Sequence, residues 1–194
     1  MCIQKIIALS LLIVVSPILL VAIICLKIES PKDSPIFIQQ RVGYKGNLFN
    51  MYKLRTMRVH GNAEFKMLLE QNECSEVIFK IKKDPRITNV GIWLRKFSID
   101  EFPQLFNVLL GEMDLVGPRP ALVREIVKYS GEASRRLNVL PGCTGLWQIS
   151  GRSNLDFQEM LELDLLYITK KSISYDIFIL FKTIKVVIIG KGAY

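Results

Sequence analysis

From position 6 the chain runs twenty-one residues without a charge, IIALSLLIVVSPILLVAIICL, with Lys5 and Lys27 at its edges. One straight helix of that length reaches ~32 Å, about the thickness of a bilayer's hydrocarbon core. A signal peptide fits less well, because the apolar run is long and no small-residue cleavage site follows. Ser16-Pro17 falls at the midpoint. Pro17 cannot donate to the carbonyl of Ile13 and its ring crowds that turn, so a bend is predicted. The Ser16 hydroxyl is placed to bond back to the Leu12 carbonyl and deepen it. The pattern therefore leaves two topologies open, a kinked spanning helix and a helix that enters, bends at Ser16-Pro17 and returns. Far more cations follow the segment than precede it, so the side after Lys27 is expected to be cytoplasmic. A returning helix keeps both flanking lysines on one side. Proline occurs in many spanning helices, so the residue alone does not choose.

Beyond Lys27 the pattern shortens. Pro31 and Pro35 mark a connection. Pro35–Arg41 and Leu48–Leu54 read as strands joined through a turn at Gly43 and Gly46. Residues 62–76 read as a polar helix, and residues 84–97 as a turn that becomes apolar at helical spacing. The helix after position 154 carries the stripe Phe157, Met160, Leu161, Leu165 and Ile168, with Asn154 or Ser153 as its cap. Ile173–Ile189 is apolar except where Lys182 and Lys185 share one face. That suits a helix lying in a membrane interface or an ordinary packed C-terminal helix. No internal repeat appears. The expected organisation is a membrane helix over residues 1–30 and one domain over 31–194.

Composition sharpens this. The chain has 194 residues, half of them hydrophobic, and a formal net charge of +8. All of the excess lies in residues 1–99. A basic first half suits an anionic membrane or a polyphosphate. Nucleic acid ranks below these, since aromatics do not interleave with the cations as a stacking platform requires. Four scattered cysteines and one histidine, His60, exclude a zinc site or a disulfide framework as the organising feature.

The chemistry-bearing residues concentrate in RKFSIDEFPQLFNVLLGEMDLVGPRP, Arg95 to Pro120. Ser98 and Glu101 fit a capping box, and Asp100 as N-cap is the alternative that puts Pro103 at N3. Either way Asp100 and Glu101 stand at a helix start, where anions are also favoured. Side chains one residue apart on a helix diverge by ~100°, so the two acids divide labour: one attacks while the other holds a metal or moves a proton. Arg95 and Lys96 supply charge for phosphate. Prolines on both sides of Arg119 stiffen its loop, which makes its guanidinium a clamp or simply a rigid surface arginine. In LPGCTGLWQISGRSN, Leu140 to Asn154, Pro141-Gly142 and Gly145 predict a tight turn and Leu146–Ile149 a strand, with Arg152 after it. Asp164 falls on the apolar stripe of the next helix and needs a partner, for which Arg152 is the candidate. Lys53 and Arg55 share a strand face.

Together these blocks resemble the bacterial sugar transferase family, the monotopic phosphoglycosyl transferases. The carriers are Ser16-Pro17, KLRTM at 53–57, DPRIT at 84–88, the block at 94–120, PGCTGLWQISGR at 141–152 and the closing LDLLYI and GAY. The resemblance implies a small α/β, mostly α, catalytic domain held by a re-entrant helix and interfacial amphipathic helices. It implies a UDP-sugar donor, undecaprenyl phosphate as acceptor, Mg²⁺, and a place at the cytoplasmic face of the bacterial inner membrane, against lipid. Galactose or glucose phosphate is the expected cargo. Carried over by position, Asp100 is the nucleophile and Glu101 the metal ligand or proton carrier. Lys53, Arg95, Arg119, Arg152 and Asp164 fall on positions for substrate binding or site support. Cys143 and Leu140 depart from the family's commoner isoleucine and basic residue. Homo-oligomerisation stays open. So do two rival readings: a non-catalytic membrane-tethered protein that binds lipid or recruits partners, and a transferase acting in one direct step.

Overall fold

The computed structural model describes residues 2–58, 84–127, 129, 131–151 and 155–189. The polar helix expected over 62–76, His60, Arg152 and the closing GAY lie outside the described residues.

The apolar run forms α1, Cys2–Glu29, one helix with Pro17 inside it. The Ser16 hydroxyl does bond backwards, but to the Ile13 carbonyl at 2.8 Å. Leu12, expected as its acceptor, is one residue further back. The carbonyl of Ile13 is the one Pro17 leaves without its helical donor, so the hydroxyl satisfies the orphan. One stripe of α1, with Ala8, Leu12, Leu19, Ala22 and Leu26, is buried in the core, and the remaining faces expose Ile13, Val14, Leu20 and Val21.

The expected hairpin forms as β1, Ile36–Val42, antiparallel to β2, Leu48–Leu54, with Ile36 opposite Leu54 and Val42 opposite Leu48. The turn between them puts Lys45 and Gly46 at positive φ. Next comes α2, Asn89–Lys96, capped by Thr88, whose hydroxyl accepts from the Gly91 N–H at 2.9 Å. Its close seat on Thr56 explains Gly91: a Cβ there would lie 2.2 Å from the Thr56 carbonyl oxygen.

The capping box expected at Ser98 does not form. Ser98 is left-handed, at φ 53, and makes no side-chain cap. Ile99–Glu101 is a 3-10 turn, and α3, Gln104–Leu110, begins only after Pro103, its N-cap. Proline tolerates that place because a helix start needs no N–H there. Asp100 and Glu101 thus sit on a tight turn before a seven-residue helix, and the expected anion-binding helix start is absent at these positions.

A second, parallel pair joins β3, Asp114–Val116, to β4, Gly142–Thr144. The crossover contains α4, Val123–Ile126, and a run of 3-10 turns, Gly131–Asn138. The strand in this region is therefore Gly142–Thr144, and Leu146–Ile149, expected to be extended, lies in the short helix α5, Leu146–Ser150. Leu146 is buried and Ile149 half-buried, the i, i+3 spacing of one helical face. Interlocked glycines hold the two loops together: a Cβ on Gly142 would stand 2.0 Å from the Gly117 nitrogen, and one on Gly145 2.2 Å from the Gly117 oxygen.

Helix α6, Phe157–Lys170, starts at Asp156, which forms a capping box with Glu159 in place of the cap expected at Ser153 or Asn154. Its buried face is Met160, Leu161, Asp164 and Tyr167, while Phe157, Leu165 and Ile168 are half-buried. The last helix, α7, Ile173–Ile189, buries Ile179 fully and exposes Lys182, Lys185, Phe181 and Ile188. The molecule is mostly helical with small sheets, as the sequence reading expects.

Candidate active site

Two elements deliver the acidic centre. The 3-10 turn presents Asp100 and Glu101, and the end of β2 presents Lys53. The Lys53 ammonium donates to Glu101 Oε1 at 2.7 Å, with the two side chains 23% and 41% exposed. Glu101 therefore turns outward while Asp100 turns inward, where it is buried. This is the divergence of adjacent side chains expected from the sequence, here on a 3-10 turn. Burial, and then the neighbouring Glu101 charge, push the Asp100 carboxyl up to about 6, against the pull of Lys53 and Arg95. At pH 7 it is ionised but poorly solvated, the condition of a reactive anion.

Arg95 lies in the last turn of α2, and its Nε donates to the Thr56 hydroxyl at 3.1 Å. The Thr56 carbonyl in turn accepts the Thr88 N–H at 3.1 Å. Arg55, grouped with Lys53 in the sequence reading, goes elsewhere: it donates to the Ser34 carbonyl at 2.7 Å and lies over the Phe37 ring.

A second centre forms around the GPRP loop. Arg119 Nη1 reaches Glu125 at 3.2 Å, and its guanidinium lies over the Trp147 ring at 5.8 Å. Glu125 is almost fully buried and also accepts the Leu122 N–H at 2.8 Å. The loop arginine is therefore held by a carboxylate, which the sequence did not signal. Asp164 is fully buried, and its partner is Arg136, at 2.6 Å. The sequence reading missed Arg136; Arg152, its candidate, is not among the described residues. Burial pushes the Asp164 carboxyl up to about 6, while Arg136 and Arg119 pull it down. Arg41, also missed, is buried, and burial together with the Arg119 charge brings its guanidinium down to about 9. No periodicity could have marked Arg136, because Arg135 beside it is exposed in the same 3-10 run.

The structure thus brings Lys53, Arg95, Asp100 and Glu101 into one electrostatic cluster, and Arg119 and Asp164 into another. The clusters feel each other: Glu101 and Arg119 both act on Arg41. Among the described residues no group of three or more His, Cys, Asp or Glu could by itself hold a metal. Glu101, the carboxylate that turns outward, is one donor of the kind with which Mg²⁺ is held when substrate phosphates and water complete its shell. The residues present fit an ion of that kind. Cys143, by contrast, is a thiol pushed far up by burial and offers no nucleophile.

The family model described as bacterial sugar transferase matches residues 1–190. The chain is 52% identical over 159 residues to the galactosyl transferase CpsE of Streptococcus agalactiae serotype III, covering 81% of this chain and 35% of that protein. It is 42% identical over 191 residues to the undecaprenyl-phosphate galactose phosphotransferase of Salmonella typhimurium, covering 96% and 40%. Against the UDP-glucose:undecaprenyl-phosphate glucose-1-phosphate transferase of Klebsiella pneumoniae it is 41% identical over 192 residues, covering 95% and 39%. The chain therefore spans well under half the length of each of these relatives.

Proposed function

The chain belongs to the bacterial sugar transferase family, and from that premise we propose that it moves a hexose-1-phosphate, galactose or glucose, from a UDP-sugar to undecaprenyl phosphate. The observation that carries this reading is the buried Asp100 beside Lys53, Glu101 and Arg95. The Asp100 carboxylate attacks the phosphorus that bears the sugar. The bond from that phosphorus to the bridging oxygen breaks, UMP leaves, and a sugar phosphate stays on Asp100 as an acyl phosphate. A phosphate oxygen of the lipid then attacks the same phosphorus and frees the carboxylate. Lys53 and Arg95 lower the cost of bringing an anion to a phosphate. Glu101 and substrate oxygens would hold Mg²⁺, which supplies further charge neutralisation. Arg119 binds donor phosphate.

The test is incubation with radiolabelled UDP-galactose or UDP-glucose, first without acceptor and then with undecaprenyl phosphate in membranes. Expected are one label per chain and an equivalent of UMP, then labelled lipid; Asp100→Asn abolishes both. Label absent from the protein while lipid is still charged would establish direct transfer. An asparagine variant that functions normally would favour the non-catalytic tether.

The same reading has α1 returning to the face it entered, on the cytoplasmic side. What supports it is that both ends of α1 are tied to the same domain. Gln4 Oε1 accepts the Leu115 N–H in β3 at 2.9 Å, and Glu29 accepts the Asn89 and Val90 N–H groups at 2.8 and 3.3 Å. A helix that crossed the membrane would carry one of those ends, and the domain groups bound to it, to the opposite face. Ile3→Cys and Lys32→Cys variants should both be labelled by a membrane-impermeant thiol reagent in inside-out vesicles. Labelling of position 3 only in right-side-out vesicles sinks the returning topology.

A further inference from the structure

We infer that Arg41 and Arg136, with Asp164 behind Arg136, are positioning residues that aim the Arg119 guanidinium at the donor. The inference rests on the transferase reading above, and it concerns residues that do not touch substrate.

Four consecutive carbonyls of the loop are pinned. Pro118 O accepts from the Gly142 N–H at 2.9 Å, Arg119 O from Arg136 Nη2 at 3.0 Å, Pro120 O from Arg41 Nη1 at 2.9 Å, and Ala121 O from the Val42 N–H at 2.9 Å. Two of the four donors are buried guanidiniums, reaching the loop from β1 and from the 3-10 run. Taking a guanidinium out of water is costly, and a backbone amide could close a loop without that cost. A rigid fork with several donors can instead tie a carbonyl and a second group at once, which fixes direction as well as distance.

Both forks are engaged internally, Arg41 through all three nitrogens and Arg136 through its two terminal ones, its Nε having no partner among the described residues. Arg41 spends Nε and Nη2 on Gln39 Oε1, at 3.2 and 2.7 Å. Arg136 donates to the Tyr129 hydroxyl and pairs with Asp164. Arg136 is only 4% exposed and Asp164 is fully buried. Neither is presented to a ligand as Arg119 is, whose side chain is a quarter exposed with Glu125 engaging one terminal nitrogen. Prolines at 118 and 120 fix φ on either side, so pinning the flanking carbonyls leaves the Arg119 backbone almost no freedom. The side chain then has one direction, steadied by Glu125 and the Trp147 ring. Asp164, placed by the sequence among substrate-binding candidates, acts one step back as the counter-charge that makes burial of Arg136 tolerable.

A double-mutant cycle on the full chain in membranes tests this, with kcat/KM for UDP-galactose or UDP-glucose as readout. In Arg136→Lys the charge toward Asp164 remains, but one ammonium cannot reproduce the fork. Expected is a loss of about tenfold for Arg136→Lys and about a hundredfold for Arg119→Ala, with the double variant no worse than Arg119→Ala alone. A structural role would instead multiply the losses to about a thousandfold, and that result overturns the inference. Arg41→Lys, on the other side of the loop, carries the same prediction and decides the matter if Arg136→Lys does not fold. Arg136→Lys and Arg41→Lys variants that fold and turn over like the wild type also overturn it. A wild type inactive on both donors sinks the transferase reading and this inference with it, and is distinct from an active wild type with additive losses.

Discussion

Asp100 and Asp164 are both buried, and burial pushes both carboxyls up to about 6. They differ in what stands beside them. Asp164 faces a guanidinium that is as buried as itself, at 2.6 Å. Asp100 faces cations that are partly solvated and occupied elsewhere, Lys53 by Glu101 and Arg95 by Thr56. The same acidity therefore has two meanings. In a closed pair the carboxylate is needed to neutralise its partner. In an open one it stays a poorly compensated anion, available for reaction. A perturbed acid marks a reactive site only when its counter-charges are not already spent on it.

The largest contrast is in turnover. Asp100→Asn should lower transfer by about a thousandfold or more, since no carboxylate remains to attack. It should also raise stability at pH 7. A carboxyl whose folded value lies above its unfolded one disfavours the folded state once ionised, so a neutral isostere relieves about 1–3 kcal/mol. Thermal unfolding of the variant would show a higher midpoint, and a lower one would break the comparison.

Asp164→Asn should do the opposite. Removing one partner of a buried pair costs about 3–5 kcal/mol net, because Arg136 stays buried without its counter-charge, and this is read as a lower denaturation midpoint with unchanged slope. A smaller effect belongs to the partly exposed pair beside Asp100. Lys53→Met should change stability by less than about 1 kcal/mol. It should still lower kcat/KM about tenfold, because the anion loses a neighbouring cation. Equal stability and rate effects would mean that Lys53 serves Glu101 alone.

Local features of the fold were legible where periodicity and punctuation carry them. The long apolar helix, the hairpin from Ile36 to Leu54 and the helix after the turn at residues 85 and 86 follow from charge-free length, alternation and 3.6-residue spacing. The start of α3 was misplaced because Ser-x-x-Glu matches a capping box by composition, whereas Pro103 and the left-handed Ser98 move the helix start to Gln104. Leu146–Ile149, expected as a strand, is helical because so short a run, apolar at Leu146, Trp147 and Ile149, satisfies strand and helix spacing equally well. Of the site, residue type and local pattern mark Asp100, Glu101, Lys53, Arg95, Arg119 and Asp164, but not Arg41, Glu125 or Arg136.

What the sequence by itself determined is which residues can react and which segment seeks lipid, since residue type and local spacing decide those. Only the tertiary structure decided which charges are consumed. Arg41 lies 79 positions from Pro120, whose carbonyl it binds, and Lys53 lies 48 from Glu101. Burial and counter-charge are properties of what packs around a group, and at such separations no local pattern encodes them.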